Sequence, residues 1–336
     1  MKIPRRGLTL TELFVVISIV GLLVAISLPA VLHVRELSRK AQCQSRLAGL
    51  GKALHAYEAA KRSFPPAAPY EPGYKGKRGA DKQFAPHVPL LPFVEQSALW
   101  QQAMAIPVKP GFVLGEGSED APGIAEIALA PVSSYVCPSD GGGSGTNYRV
   151  CLGPGPGWIE SPLSPGGGTG PFTALVDYRT DDFTDGLGQT IAMSEKLKAD
   201  DDLAWDAEVD FWYTGLADLG GTPASADEMA AACSALTAEP PHHHPHAGRT
   251  WMFAAYAHTW YNHALSPNGA TPDCTTLSWP HREASNSGAY KASSRHSGGV
   301  NVLLMDGAVR FVADGVDLTV WRALSTRAGG ETVTAF

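Results

Sequence analysis

The sequence predicts an α+β protein: a long N-terminal helix, transmembrane in its first half and amphipathic in its second, packed on a loop-rich head built from an antiparallel sheet. Three observations predict it. Residues 13–32 carry no charge; apolar residues then recur every three or four positions up to Tyr57; and residues 298–315, GGVNVLLMDGAVRFVADG, set two β-rich runs around Asp306-Gly307. On this reading the 336 residues divide into a basic leader (1–7), the helix (8–62) and an extracytoplasmic head (63–336).

The uncharged run comes first. Twenty residues at 1.5 Å per residue cover about 30 Å, the thickness of the hydrocarbon layer. A secretory signal has a shorter apolar region of about 7–15 residues and a small-x-small cleavage site; here the run enters Pro29 and then a charged helix, so an anchor is expected. Lys2, Arg5 and Arg6 precede the span and place the N-terminus in the cytoplasm by the positive-inside rule, although Arg35, Arg39, Lys40 and Arg46 on the far side pull against it.

Glu12 stands at the start of this apolar run, where a charge needs a partner. Two readings are open. Thr9-x-x-Glu12 fits a capping box, in which each side chain satisfies the other's backbone donor. Alternatively, a cut between Gly7 and Leu8 removes the leader, leaves Glu12 at the fifth mature position and creates an ammonium group for it to meet.

Leader, Gly7, Leu8, Thr9, Leu10, Glu12 and the long apolar helix together resemble the N-terminus of type IV pilins and type II secretion pseudopilins. The resemblance implies that a membrane prepilin peptidase/methyltransferase cuts after Gly7 and methylates Leu8. It further implies that Glu12 guides subunits into a helical filament, with Pro29 at the family's common mature position 22. Leu8 stands where phenylalanine or methionine is more usual. The partners implied are the bacterial inner membrane, crossed once with the head periplasmic or at the cell surface, the processing enzyme and other pilin-like subunits.

Beyond the span, Val34, Leu37, Ala41, Leu47, Leu50, Leu54 and Tyr57 form one apolar stripe between charged residues, expected to face the head. Pro29 lacks an N–H and is expected to kink or loosen the helix. The helix ends before the prolines of residues 63–69. Glycine-rich stretches at 141–145, 153–157 and 164–171 read as loops, and short helices are expected at 93–104 and 224–236. Asp306-Gly307 favours a type I′ turn, which makes 298–315 a hairpin.

The head extends the resemblance. AQCQSRLAGLGKALHAYEAAKRSFPP, CPSD (137–140), FTDGLGQTIAMSE (183–195), SRHSGGVNVLLMDGAVRFV (294–312) and WRALSTRAGGE are similar to the DUF1559 family of pilin-like proteins. Its His-x9-Asp-Gly signature falls on His296, Asp306 and Gly307, while GLGQT replaces the usual TSNT. The resemblance implies architecture more than chemistry.

Candidate chemistry in the head is sparse. His296, Asp306, Ser294 and Ser297 are triad residue types without a nucleophile elbow, so no enzyme is expected. His242, His243, His244 and His246 lie close in sequence, but neighbouring imidazoles on an extended chain point apart, and a solvated loop is the expectation. Asp181, Asp182 and Asp185 lack a full calcium-loop pattern and read as a capped turn. No cofactor is therefore expected, structural zinc or calcium at these groups being the weak candidates. A net charge of -7 without a dense basic patch argues against nucleic acid.

Five cysteines outside the cytoplasm point to disulfides. Cys137 and Cys151 flank a glycine-rich loop of about 15 residues, whose closure contributes about 3 kcal/mol on the chain-entropy model. Cys233 and Cys274 are the second pair, and Cys43 is left reduced and packed or bridged to another subunit. Two functions are consistent with the whole: a pilin-like structural subunit, or a membrane-tethered module whose head binds a polysaccharide, metal or protein.

Overall fold

The computed structural model describes residues 10–68, 84–107, 118, 120–155, 169–173, 176–215, 225–236, 242–276, 288–331 and 333. Its helices are α1 (Leu10–Lys61), α2 (His87–Leu90), α3 (Ser97–Ala105), α4 (Ala125–Ala128), α5 (Ala226–Ser234) and α6 (Leu318–Ala323). The strands are β1 (Tyr148–Cys151), β2 (Ile191–Glu195), β3 (Phe211–Tyr213), β4 (His243–His244), β5 (Trp260–Tyr261), β6 (Asp273–Thr275), β7 (Gly288–Ala289), β8 (Gly299–Leu304) and β9 (Val309–Ala313). The class is α+β.

Helix α1 is 52 residues long, about 78 Å at 1.5 Å per residue, and runs unbroken through Pro29. Its described N-terminal part is long and apolar enough to cross a membrane and is not buried by the head. Burial begins at Cys43 and continues through Leu47, Leu50, Gly51, Ala53 and Leu54. The apolar stripe expected to face the head is therefore covered only in its second half: Val34 and Leu37 remain 62% and 53% exposed. The helix simply extends past the head before the stripe ends.

The strands form two sheets, ordered β5-β1-β2-β8-β9 and β4-β3-β6-β7. Most pairs are antiparallel, but each sheet contains one parallel pair, β1 with β5 and β3 with β6. That departs from the all-antiparallel expectation. Two- and three-residue strands contributed by long loops pair in whichever direction the loop arrives.

Strand β8 is buried along its whole length, and its period of two sorts its side chains between two layers. Leu303 packs in the core shared with α1, whereas Val300, Val302 and Leu304 pack in a second core with Trp321 of α6. A third cluster joins α5 to the smaller sheet around Met229, Cys233, Leu265 and Cys274, and a Cys233–Cys274 disulfide crosses it.

The hairpin β8–β9 is present, with Leu303 opposite Val309. Its turn differs from the type I′ expectation. Only Gly307 of the Asp306-Gly307 pair has positive φ (+89°), and Leu304 N donates to Ala308 O at 2.8 Å. This is the three-residue loop that ends on a left-handed glycine. The extra residue lets the turn lie flat against α1: a Cβ on Gly51 would fall 2.9 Å from Leu303 Cδ1 and 3.2 Å from Gly307 Cα.

The two expected short helices are α3 and α5. Residues 91–94 form a separate 3-10 turn that ends on Glu95 at φ +63°, which delays the start of α3 to Ser97. Helix α5 begins at an N-cap, Ser225, whose hydroxyl accepts from Glu228 N at 3.2 Å.

Candidate functional site

A polar cluster of the described head lies where α1 leaves it. One turn of helix carries Glu36 and Arg39, paired at 2.6 Å. From the loop before β8, the His296 ring sits under Glu36, with Nδ1 2.9 Å from Glu36 Oε1. Its Nε2 faces Glu195 Oε1 at 3.3 Å, at the end of β2, and lies 3.6 Å from Cys137 Sγ. Glu195 is held from its other side by β8, since Asn301 donates its backbone N at 2.8 Å and its Nδ2 at 3.0 Å. Gln44 of α1 completes the chain by donating to Asn301 Oδ1 at 2.9 Å.

The His296 side chain is 1% exposed. Burial alone depresses an imidazole's pKa, but the carboxylates of Glu195 and Glu36 outweigh it and raise the pKa above its ordinary value. Partial burial lifts the Glu36 carboxyl, and hydrogen bonds from Arg39, His296 and Ser139 reverse this and lower it. Two carboxylates thus bracket the imidazole at the helix–head boundary.

A disulfide joins the same place: Cys43 of α1 to Cys137. This corrects the expected Cys137–Cys151 pair. Cys151 closes β1 and is a buried free thiol whose pKa is pushed up to about 12 by burial. Its strand position aims it at the layer of Tyr261 and Trp321, away from Cys137. Cys43, expected to be left over, is the true partner because α1 crosses directly above the 3-10 turn that begins at Pro138.

Around the disulfide, Arg46 Nη1 donates to Val136 O at 2.5 Å and Tyr148 OH donates to Cys43 O at 3.2 Å. Lys40 Nζ sits 3.1 Å from the centre of the Phe311 ring, a cation–π contact. Residues 36–51 of α1 are thus fixed to the head by a covalent bond, ion pairs, hydrogen bonds and the Gly51–Gly307 approach.

The other candidate residues are dispersed. Gly7 and Leu8 lie outside the described residues. Glu12 is in the first turn of α1, and Pro29 is inside it. His296 and Asp306 sit at opposite ends of β8, about 20 Å apart for six residues of strand. Asp306 holds the hairpin turn, accepting from Ala308 N at 2.9 Å. Ser294 is engaged with the backbone of Gly299 and His296.

The histidine tract fans out. His243 faces Asp210 at 3.4 Å, His244 stacks on Phe211 with ring centres 4.6 Å apart, His246 meets Asp201 at 2.6 Å, and His242 is exposed. It forms a short strand, not the expected solvated loop, because β3 pairs with it. Asp182 caps its own turn at Arg179 N, and Asp185 accepts from Gly329 N and Gly330 N, so the two carboxylates serve different segments.

Sequence reasoning gave no role to Glu36 or Glu195. Their signal was faint: a single acid among the bases that follow the span, and an acid closing an apolar strand. A polar cavity of about 470 Å³ opens beside the junction, lined by Asp140, Ser144, Lys198, Asp201, Arg249 and Arg295 among others.

A family model described as "Protein of unknown function (DUF1559)" matches residues 33–319. The chain therefore belongs to the DUF1559 family. No curated protein and no solved structure matches it.

Proposed function

We propose that this chain is a pilin-like structural subunit of the pseudopilin kind. In this reading it is cut after Gly7, methylated on Leu8, and held in the inner membrane by α1 with its head outside. It then stacks with other pilin-like subunits into a filament of the type II secretion or type IV pilus class. One observation carries the reading. Glycine, glutamate and apolar span fall in a single register in the sequence, and the described residues from Leu10 onward form one unbroken helix whose apolar surface, from Leu13 to Leu37, the head leaves uncovered. Lipid covers the first 30 Å of such a surface; Val34 and Leu37 lie past that depth and are the positions that neighbouring helices cover in a bundle. The rigid junction at residues 36–51 suits this role, because it carries the head in a fixed orientation on its stalk. The head itself acts as a structural body without catalytic residues, and its acidic balance fits no nucleic-acid partner.

Mass spectrometry of the mature N-terminus tests the proposal. The expected chain begins with methylated Leu8; an intact Met1, or a cut beyond Pro29, refutes it.

The cavity beside the junction favours a second reading, a tethered binding module. Its volume is in the range of about 300–1,000 Å³ that small-molecule sites occupy, and its lining mixes acids with Lys198, Arg249 and Arg295. Glu12→Ala separates the two: a subunit fails to assemble while still inserting and folding, and a binding module is unaffected.

A further inference from the structure

Four potential ligands converge at the junction. Cys43 and Cys137 Sγ, His296 Nε2 and a Glu195 oxygen all lie within 4.8 Å of one another, and all four residues are buried. We propose that, in the chain with Cys43 and Cys137 reduced, these residues form a closed tetrahedral site for a divalent metal of the zinc type. Disulfide and metal are then alternative staples of the same helix–head boundary.

The geometry carries the proposal. Zinc–ligand bonds of about 2.0–2.3 Å place ligand atoms about 3.3–3.8 Å apart on the edges of a tetrahedron. The Nε2–Oε1 distance of 3.3 Å and the Nε2–Sγ distance of 3.6 Å already have that spacing. The remaining ligand atoms lie within 4.8 Å of one another, and the two sulfurs part by side-chain rotation once the bond between them is gone.

The surroundings match as well. A metal-bound histidine usually gives its other ring nitrogen to a carboxylate, which fixes the ring and raises its basicity. Here Glu36 holds Nδ1 at 2.9 Å and leaves Nε2 directed at the sulfurs. Asn301 orients Glu195 with two donors. Two thiolates and one carboxylate against a dication and a neutral imidazole leave a net charge of -1, which Arg39 faces through Glu36.

The steps balance with a dithiol as reductant. The dithiol transfers two electrons and two protons to the Cys43–Cys137 cystine and becomes a disulfide; Cys43 and Cys137 become thiols. Metal entry then releases the two thiol protons, and His296 binds through an unprotonated Nε2. The boundary stays closed in both redox states.

The test uses the full chain in detergent, reduced with a phosphine that is then removed, and titrated without oxygen with Co²⁺ alone. One equivalent is expected to give a thiolate-to-cobalt charge-transfer band and the visible bands of tetrahedral cobalt, both abolished by Zn²⁺. The metal should shield Cys43 and Cys137 from alkylation, and the unreduced chain should show none of these signals. His296→Ala should weaken binding at least 100-fold. Glu36→Gln, which keeps every ligand, should weaken it about 10–100-fold, and Cys151→Ser should leave it unchanged. The proposal is overturned if reduced chain takes up no more cobalt than a Cys43→Ser/Cys137→Ser double variant. It is equally overturned if His296→Ala binds like wild type while circular dichroism shows it folded, or if reduction unfolds the chain without uptake.

Discussion

His296 Nδ1 lies 2.9 Å from Glu36 Oε1, across a sequence separation of 260 residues. The contact ties the loop that leads into β8 to the point where the long helix leaves the head. The described residues before Glu36 are exposed along the whole helix, and from Cys43 onward one face of α1 is buried in the core.

The Cys43–Cys137 bond closes a loop of 94 residues. Replacing either cysteine with serine should destabilise the head by about 2–5 kcal/mol on the chain-entropy account. Denaturant titration of the purified chain measures this, and limited proteolysis should find new cleavage between residues 37 and 50. An unchanged midpoint would remove the disulfide from the list of forces that hold the junction.

Gly51 is tight against the β8–β9 hairpin. A Gly51→Ala change sets a methyl 2.9 Å from Leu303 Cδ1 and 3.2 Å from the Gly307 backbone. Overpacking of this kind costs about 1–3 kcal/mol, against about 1 kcal/mol by which alanine favours a helix interior at an unhindered site, and the contact with the Gly307 backbone, which cannot rotate away, makes the net change destabilising. Gly49→Ala, one turn-face away with open space around it, is the control and should be neutral or slightly stabilising.

Two buried histidines make the head acid-labile. Burial pushes His87 down to about 4 and His263 down to about 3, only partly offset by the carbonyls of Tyr148 and Trp321. The unfolded chain takes protons near pH 6.5 while the folded chain resists them. The contribution of these two sites is therefore complete above pH 6.5 and is lost as the pH drops through 6.5 toward 3–4, roughly 3 kcal/mol at His87 and roughly 5 kcal/mol at His263. Asp210, whose carboxyl burial lifts to about 7, acts with the opposite sign over the same range, so the two histidines are isolated by comparison: from pH 7 to pH 4 the thermal midpoint of His263→Gln should lose less than that of the wild type. Parallel pH profiles of the two proteins would contradict the assignment.

Leu37 sits on α1, 53% exposed and beyond the reach of the bilayer core. Leu37→Glu should leave the folding of the head unchanged within about 0.5 kcal/mol, as for most surface substitutions. On the proposed function it should abolish filament assembly, read by cross-linking or sedimentation. Normal assembly of the variant would exclude this stretch of helix from the subunit contact.

The parts legible in the sequence are those governed by local periodicity. The 52-residue helix follows from an uncharged span running into a three-to-four-residue repeat, and the β8–β9 hairpin from two β-rich runs around a turn dipeptide. What stayed hidden depends on which segments meet in three dimensions. Cys137 has a cysteine 14 residues away, yet the one it bonds lies on a helix that only tertiary packing brings near. Val34 and Leu37 obey the same periodicity as Leu47 and Leu50, and nothing local says where the head stops covering the helix. Glu195 becomes conspicuous only once β2 pairs with β8, with His296 arriving from the loop before β8 and Asn301 from β8 itself.

The placement of that covalent bond also decides how the molecule takes tension. A pull on the membrane end of the stalk passes the contacts of Glu36 and Lys40 and is handed at Cys43 to the segment around Cys137, so within two turns of helix it meets a sulfur–sulfur linkage and not only a row of hydrogen bonds that unzip in turn. Under traction the body should swing as one lever on its shaft, and the strands behind it should feel the strain last.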